Sequence, residues 1–192
     1  AGVAESAVKN QGPLPMPDDV VIAHPERNAA RQAYFGDMHV HTTYSFDAFA
    51  FGTLATPYDA YRYARGEAIK HASGFEMKMR APLDFYTVTD HAMFLGVAQA
   101  AADTSTPFSK IPVVEYMNNL NAPENQVPGS NPNRNKAFSS FLGDLVAGVT
   151  DKSIDLEMVN GIMRTAWDDT IAAAEKYNEP GKFTTFVAFE YT

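Results

Sequence analysis

Three short segments of the sequence have the character of β-strands, and helical patterns separate them along the chain. The three segments are DMHVHT (37–42), PLDFYTVTDH (82–91) and FTTFVAFEYT (183–192). Between the first two, Thr56 followed by Pro57 and Asp59 is typical of a capped helix N-terminus, which predicts a helix from about 57 to 66. Helical spacing of apolar residues returns over 156–177 and ends at NEPGK. Strands that alternate with helices in this way predict an α/β domain with a parallel sheet.

Two parts of the chain lack this pattern. Residues 1–34 hold four prolines and few periodic apolar positions, which predicts an extended arm that packs on a body. From about 97 to 153 the periodicity is lost, and MNNLNAPENQVPGSNPNRNK is rich in residues that favour turns, so this part is interpreted as an insertion or lid. With 192 residues, 45% of them hydrophobic, the chain can build one well-cored domain, expected over 35–192.

The first strand-like segment carries two of the chain's five histidines, His39 and His41. Side chains two residues apart in a strand point to the same face, so these imidazoles have a spacing that two ligands of one metal ion can use. By itself, such a pair is more often a hydrogen-bonded pair in a core. Four more candidates lie where a predicted strand ends or in the loop after it: Asp47, Asp90, His91 and Glu190. Because active sites of parallel α/β folds are built at the carboxyl ends of the strands, this placement favours a shared metal site.

The composition limits the kinds of ligand and substrate. The chain has no cysteine, so any metal depends on imidazole and carboxylate ligands, which suit zinc, manganese or iron. Two such ions about 4 Å apart can activate a water molecule and hold the leaving oxygen of a displacement. The net charge of −8 argues against nonspecific nucleic-acid binding, which needs a basic face. An anionic substrate would need a local reversal of sign, which a metal cluster provides.

Three motifs resemble those of the polymerase and histidinol phosphatase (PHP) superfamily. GDMHVHTTYSFD (36–47) resembles its first motif, D-x-H-x-H-T-x-x-S followed by a further His or Asp ligand. TVTDHAMFLG (87–96) resembles the second motif, and FVAFEYT (186–192) resembles the third, in which a glutamate bridges metal ions. The wider wording, including YFGDMHVHT, FDAFAFGT and TPYDAYRYARGEA, is similar to the DUF3604 branch of that superfamily. The similarity spans residues 34–96 and 165–192.

The resemblance implies the N-terminal part of a distorted (β/α)7 barrel, with two or three divalent ions at the carboxyl edge of its strands. It also implies a metal-dependent hydrolase that acts on phosphate esters or similar small anionic substrates. The implied ligands have three roles: His39 and His41 on one ion, Asp47 and His91 on another, and Glu190 bridging the two. Asp37 and Asp90 stand at matching positions, and we expect them to act as catalytic groups that handle a proton or accept an N–H from a bound imidazole.

A barrel of this type takes roughly 250 residues, and only three of its strands are visible in these 192. We therefore expect residues outside this chain, in a C-terminal segment or a second polypeptide, to complete it. Because a ligand set defines the surroundings of the reacting bond and not its identity, two alternatives to a phosphoesterase stay open. One is hydrolysis of a non-phosphate bond on the same fold. The other is a noncatalytic binding module that metal ions hold together.

The sequence contains no run that approaches the roughly 18 apolar residues needed to cross a bilayer, so no membrane span is expected. The first residues, AGVAESA, are small and resemble the mature side of a signal-peptidase cut. This similarity predicts a periplasmic or secreted protein, with the cytoplasm as the alternative.

Overall fold

The structure is a computed structural model, and it describes residues 32–126 and 133–191. In this part of the chain the strands are β1 Gly36–Asp37, β2 Ile69–Lys70, β3 Glu76–Met77, β4 Phe85–Val88 and β5 Thr184–Val187. The α-helices are α1 Phe46–Ala50, α2 Pro57–Ala64, α3 Val97–Ala102, α4 Asn133–Thr150 and α5 Leu156–Tyr177, with short 3₁₀ helices at Phe108–Lys110, Pro112–Met117 and Pro123–Asn125. Across the described residues, no helix combines the length and the apolar character that a bilayer span needs. Most of the predicted arm, 1–34, lies outside the described residues, as do the first residues on which the predicted export rests.

Three of the strands form a parallel sheet in the order β1-β4-β5. In its register Gly36 lies opposite Phe85, and Phe85 lies opposite Thr184. Gly36 has to be small, because a Cβ atom there would lie 2.3 Å from the Phe85 carbonyl oxygen. The predicted α/β fold with a parallel sheet is confirmed. Within the described residues this sheet is open and no barrel is closed, while β2 and β3 form a separate antiparallel hairpin.

β1 is shorter than the sequence pattern predicts, and His39 and His41 lie beyond its end. Side chains take over the hydrogen bonds there, because Val40 N donates to Thr89 Oγ1 and Thr42 N donates to a buried carboxylate. Thr89 N donates to Val40 O at 2.8 Å and carries the main-chain pairing one step further. The strand geometry predicted for the two histidines is therefore wrong, and a loop places them instead.

α2 and α5 pack together and cover part of the sheet. α2 begins as predicted, because the Thr56 side chain accepts from Asp59 N while the Asp59 carboxylate accepts from Thr56 N at 3.0 Å. Pro57 is the first helical residue, where its missing N–H is not needed. The core that these helices share with the sheet contains Ala60, Tyr61, Ala64, Tyr86, Val88, Ala173, Ala174 and Phe183. Burial of this apolar surface holds the helices against β4 and β5.

The segment from about 97 to 153, predicted to be a turn-rich insertion or lid, contains α3 and α4. It builds a second core with α1, whose buried residues include Phe49, Val97, Ala101, Phe108, Met117, Phe141 and Leu145. The buried residues of α4 have helical spacing: Ala137, Phe141, Leu145 and Gly148. The Asn-rich sequence just before α4 favours turns, so the sequence pattern does not predict this helix. The prediction of irregular backbone is therefore wrong for α3 and α4. A covering role of this segment over the site stays a prediction.

We expect Gly148→Ala to destabilise the fold, whereas Gly143→Ala in the same helix stabilises it. A Cβ atom at Gly148 would lie 2.6 Å from Cδ1 of the buried Ile154, which would have to shift at a cost of about 1–3 kcal/mol. Gly143 is exposed and a Cβ atom there meets nothing within 4 Å, so the helix propensity of alanine adds about 0.5–1 kcal/mol. Urea unfolding of both variants measures the difference. Equal stability of the two would show that α4 does not pack on Ile154 in this way.

Candidate metal centre

The backbone continues in register past the end of β5 and brings Glu190 beside His91. Glu190 N donates to Asp90 O at 3.0 Å, and Glu190 O accepts from Ala92 N at 3.0 Å. The parallel pairing of β4 and β5 thus places the residues that follow both strands at one edge of the sheet. Two predicted ligands from distant segments of the chain become neighbours because of this register.

One carboxylate oxygen of Glu190 lies among three imidazoles. Oε2 is 2.6 Å from Nε2 of His41, 3.3 Å from Nε2 of His39 and 3.6 Å from Nδ1 of His91. Burial raises the pKa of Glu190, but the hydrogen bond from His41 and the charges of the imidazoles outweigh this effect, so the pKa is lowered. The site therefore favours the carboxylate form, which is the form that binds a cation.

Asp47, in the first turn of α1, forms the second side of the cluster. Its Oδ2 is 3.2 Å from Nδ1 of His41 and 3.5 Å from Nε2 of His91. Its Oδ1 accepts from Ala48 N at 2.7 Å, which orients the carboxylate. The His41 ring therefore lies between two carboxylates, with Nδ1 facing Asp47 and Nε2 facing Glu190. The structure thus brings together all five residues predicted as ligands, which we call the ligand cluster: His39, His41, Asp47, His91 and Glu190.

The ligand cluster contains two overlapping sets of three residues that could each hold an ion. Within each set, one ligand atom from every residue lies within 4.8 Å of the others. The sets are His39, His41 and Glu190, and His41, Asp47 and His91. Two atoms that each bond a tetrahedral ion at about 2.1 Å are about 3.4 Å apart. The separations of His39 from Glu190 (3.3 Å) and of Asp47 from His41 (3.2 Å) and His91 (3.5 Å) are of this size. His41 and Glu190, 2.6 Å apart in a hydrogen bond, would have to separate to share an ion. The donor set therefore fits divalent ions with one local adjustment.

His91 has a buried nitrogen that lacks a hydrogen bond. Its side chain is 12% exposed, and its Nδ1 is shielded from solvent without a hydrogen-bond partner among the described residues. The Phe46 ring lies 5.1 Å from the imidazole and closes one side of it. A buried polar atom without a partner costs free energy, and a cation bound between this nitrogen and Glu190 Oε2, 3.6 Å away, would remove that cost. This nitrogen supports a metal interpretation independently of the distances.

Asp90, predicted to be catalytic, is buried and holds the loop that carries the ligands. Its Oδ1 accepts from Thr42 N at 2.5 Å and from Ser45 Oγ at 2.8 Å, and its Oδ2 accepts from Thr42 Oγ1 at 2.6 Å. Burial raises the pKa of Asp90, while the hydrogen bonds from Thr42 and Ser45 oppose that rise. Among the described hydrogen bonds, none joins this carboxylate to an imidazole. Its observed contacts support the loop, and its proton-handling role stays a prediction.

Asp37, the other residue predicted to be catalytic, is exposed at the end of β1. Its Oδ1 accepts from His39 N at 3.0 Å and so orients the backbone of the first ligand. In the described part of the chain its carboxylate makes no hydrogen bond to an imidazole. A proton-handling role for Asp37 also stays a prediction.

Three further residues that support the site were not predicted from the sequence in these roles. Thr42 binds both carboxylate oxygens of Asp90, and the threonine of the first motif was the available signal for it. Phe46 covers His91. Asp169, on α5, accepts a hydrogen bond from Tyr44, which lies between the predicted ligands His41 and Asp47. The helical pattern around Asp169 carries no signal for such a contact, because the pairing is purely tertiary.

The fold and the ligand cluster define an α/β protein with histidines and carboxylates suited to divalent cations. A family model with the description "Protein of unknown function (DUF3604)" matches residues 28–192, and the chain belongs to this family. The expected similarity to DUF3604 is thus confirmed, and the match includes the whole ligand cluster. No curated protein and no solved structure matches the chain.

We expect Asp90→Asn to destabilise the protein by about 1–3 kcal/mol. The amide carries no charge and its nitrogen cannot accept a hydrogen bond, so the three bonds from Thr42 and Ser45 weaken and at least one of them is lost or reversed. Asp168→Asn, at an exposed position of α5, is the matched control and should change the free energy of unfolding by less than about 0.5 kcal/mol. Urea unfolding compares the two variants. An Asp90→Asn protein as stable as the control would contradict the anchoring role of this carboxylate.

Proposed function

We propose that this protein is a metal-dependent hydrolase of the PHP superfamily that acts on phosphate esters and holds two or three divalent ions, zinc, manganese or iron. The observation that supports this most strongly is the position of Glu190, whose Oε2 lies within 3.6 Å of nitrogen atoms of three histidines. A hydrogen-bonded group of core histidines would satisfy their nitrogens. His91 Nδ1 has no such partner in the described part of the chain.

The ligand cluster supplies the roles that such a site needs. The proposed ligands are His39 and His41 for one ion, Asp47 and His91 for another, and Glu190 between them. When bound, the ions would polarise the scissile bond and make a water molecule more acidic. The contact of Asp47 with Nδ1 of His41 fixes the orientation of that ring, as a carboxylate partner of a metal-bound imidazole does. Asp37 and Asp90 are proposed to handle protons.

The charge of the protein and the exposure of the cluster favour a small anionic substrate. The chain carries a net charge of −8, so a phosphate ester needs a local cationic centre to approach. The His39 side chain is 72% exposed, against 16% for His41 and 12% for His91. The cluster is therefore open on the side of His39, where we place the substrate.

Two other functions use the same residues. A metallohydrolase that acts on a non-phosphate bond would need the same ligands, because they do not select the reacting bond. A noncatalytic binding module would use the ions only to tie β4, β5 and the loop before α1 together. Catalytic turnover distinguishes the last alternative from the first two, and the substrate panel distinguishes those two from each other.

We further propose that a segment outside this chain adds strands to the sheet and completes the barrel. β5 is an edge strand of the described sheet, and large apolar side chains on it and after it are exposed: Phe186, Val187, Phe189 and Tyr191. An edge strand with exposed apolar side chains favours pairing with a further strand. The absence of a nucleic-acid partner stays a prediction from the net charge.

The decisive test is the metal content and chelator-sensitive activity of His41→Ala beside those of His71→Ala. His41 contacts both carboxylates of the ligand cluster, whereas His71 lies in the β2–β3 hairpin and stacks on Phe75. We expect the unmodified protein to bind at least two equivalents of metal and to hydrolyse p-nitrophenyl phosphate or its bis-ester. We expect His41→Ala to lose more than about 100-fold in activity and at least one ion. His71→Ala should keep both.

Each other outcome points to a different function. Metal binding without turnover on a broad ester and amide panel would favour the noncatalytic module. Metal-dependent turnover confined to non-phosphate bonds would favour the first alternative. Full activity in His41→Ala would show that the ligand cluster is not the active site.

A further inference from the structure

Asp169, in the middle of α5, accepts hydrogen bonds from two tyrosines that belong to different parts of the fold. Tyr44 Oη donates to Oδ2 at 2.7 Å, and Tyr58 Oη donates to Oδ1 at 3.0 Å. Both carboxylate oxygens are therefore engaged. Hydrogen bonds to a carboxylate are stronger than those between neutral groups. Asp169 therefore holds together α5, α2 and the segment that carries Tyr44.

Tyr44 lies inside the loop that carries two of the predicted ligands, three residues after His41 and three residues before Asp47. Its carbonyl oxygen accepts from Gly96 N at 2.9 Å, and its N–H donates to Thr42 Oγ1 at 3.3 Å. The backbone of this loop is thus held at Tyr44 from two sides. Its phenol is the part that reaches α5.

The ligand loop, by which we mean residues 41–47 and so include the first two residues of α1, therefore has two carboxylate anchors. Asp90 holds the backbone of Thr42 and the hydroxyl of Ser45, and Asp169 holds the side chain of Tyr44. Burial, together with the hydrogen bond to Asp169 and its charge, raises the pKa of Tyr44. The phenol accordingly stays protonated and remains a donor at neutral pH.

Tyr58 joins α2 to the second oxygen of Asp169. It lies in the first turn of α2, directly after the capped N-terminus of that helix. The Lys176 ammonium lies 5.2 Å from the centre of its ring. Tyr58 therefore links α2 to α5 through Asp169, whereas Tyr44 is the residue that links Asp169 to the ligand loop.

We propose that Asp169 is a positioning residue of the metal site, which acts through Tyr44 to keep Asp47 and His41 facing each other. This inference rests on the proposed metal function. The contact at stake is the pair Asp47 Oδ2 and His41 Nδ1, 3.2 Å apart. Loss of the anchor lets the loop move, so the ion held by Asp47 weakens more than the ion held at the exposed side of the cluster.

The test is titration of the metal-free protein with Co²⁺ alone, followed by visible absorption, for Asp169→Asn and Tyr44→Phe. We expect each variant to bind one cobalt ion, the one held by Asp47, about 10- to 100-fold less tightly than the unmodified protein does and to change the spectrum of that ion. Tyr44→Phe keeps the aromatic ring and removes only the hydroxyl, so it remains decisive if Asp169→Asn fails to fold.

Two control variants separate positioning from general stability. Asp168→Asn changes the same charge one residue away at an exposed position and should leave both cobalt affinities unchanged. Tyr58→Phe removes the second donor but keeps the Tyr44 contact, so it should lower the urea midpoint with less than a threefold effect on cobalt affinity. An equal loss of affinity in Tyr58→Phe and Tyr44→Phe would overturn the proposal, because it would assign the effect to helix packing.

The possible failures are distinguishable. Wild-type affinity and spectrum in both Asp169→Asn and Tyr44→Phe, with cobalt bound to the unmodified protein, would overturn the positioning role alone. No binding of cobalt by the unmodified protein would overturn the proposed function, and the positioning role with it.

Discussion

The candidate site depends on the hydrogen bonds that the buried carboxylate of Asp90 accepts from Thr42 and Ser45. Asp90 lies just after the end of β4. Thr42, in the segment that follows β1, donates both its N–H and its hydroxyl to this carboxylate, which therefore replaces the backbone partner that a longer sheet would supply. The hydroxyl of Ser45 adds a third donor. A charged acceptor with three short hydrogen bonds can stay buried at acceptable cost, whereas an unpaired one cannot. β1 therefore ends before the first predicted ligand, His39, and an ordered loop follows it.

This loop and the register of the sheet together build the ligand cluster. Parallel pairing places Glu190 next to His91, and the loop returns His41 and Asp47 to the same edge. The result is a ring of alternating imidazoles and carboxylates in which His41 contacts an acid on each side. The Asp47 carboxylate also accepts from Ala48 N, and the backbone of Glu190 pairs with Asp90 and Ala92, so the arrangement is organised before any ion binds. Such preorganisation is what a metal site requires of its protein.

Much of the fold and the identity of the cluster could be predicted from local patterns. The cap at Thr56, the apolar strand before Asp90 and the helical spacing over 156–177 are signals carried by neighbouring residues, and the elements form where these signals lie. The length of β1 and the helix α4 could not be predicted in this way. β1 is cut short because Val40 N and Thr42 N donate to the side chains of Thr89 and Asp90, which follow β4. The apolar face of α4 begins directly after an Asn-rich stretch that favours turns. In both cases the deciding contacts come from distant parts of the chain.

The sequence by itself determined which residue types stand at the carboxyl ends of the strands, and the absence of cysteine restricted their chemistry to imidazole and carboxylate ligands. These features follow from composition and spacing, which are local. Only the tertiary structure decided that Glu190 meets three histidines, that Asp90 faces the loop hydroxyls and that Asp169 binds Tyr44. Such pairs depend on strand register and helix packing, and these minimise the free energy of the whole fold rather than of any one segment.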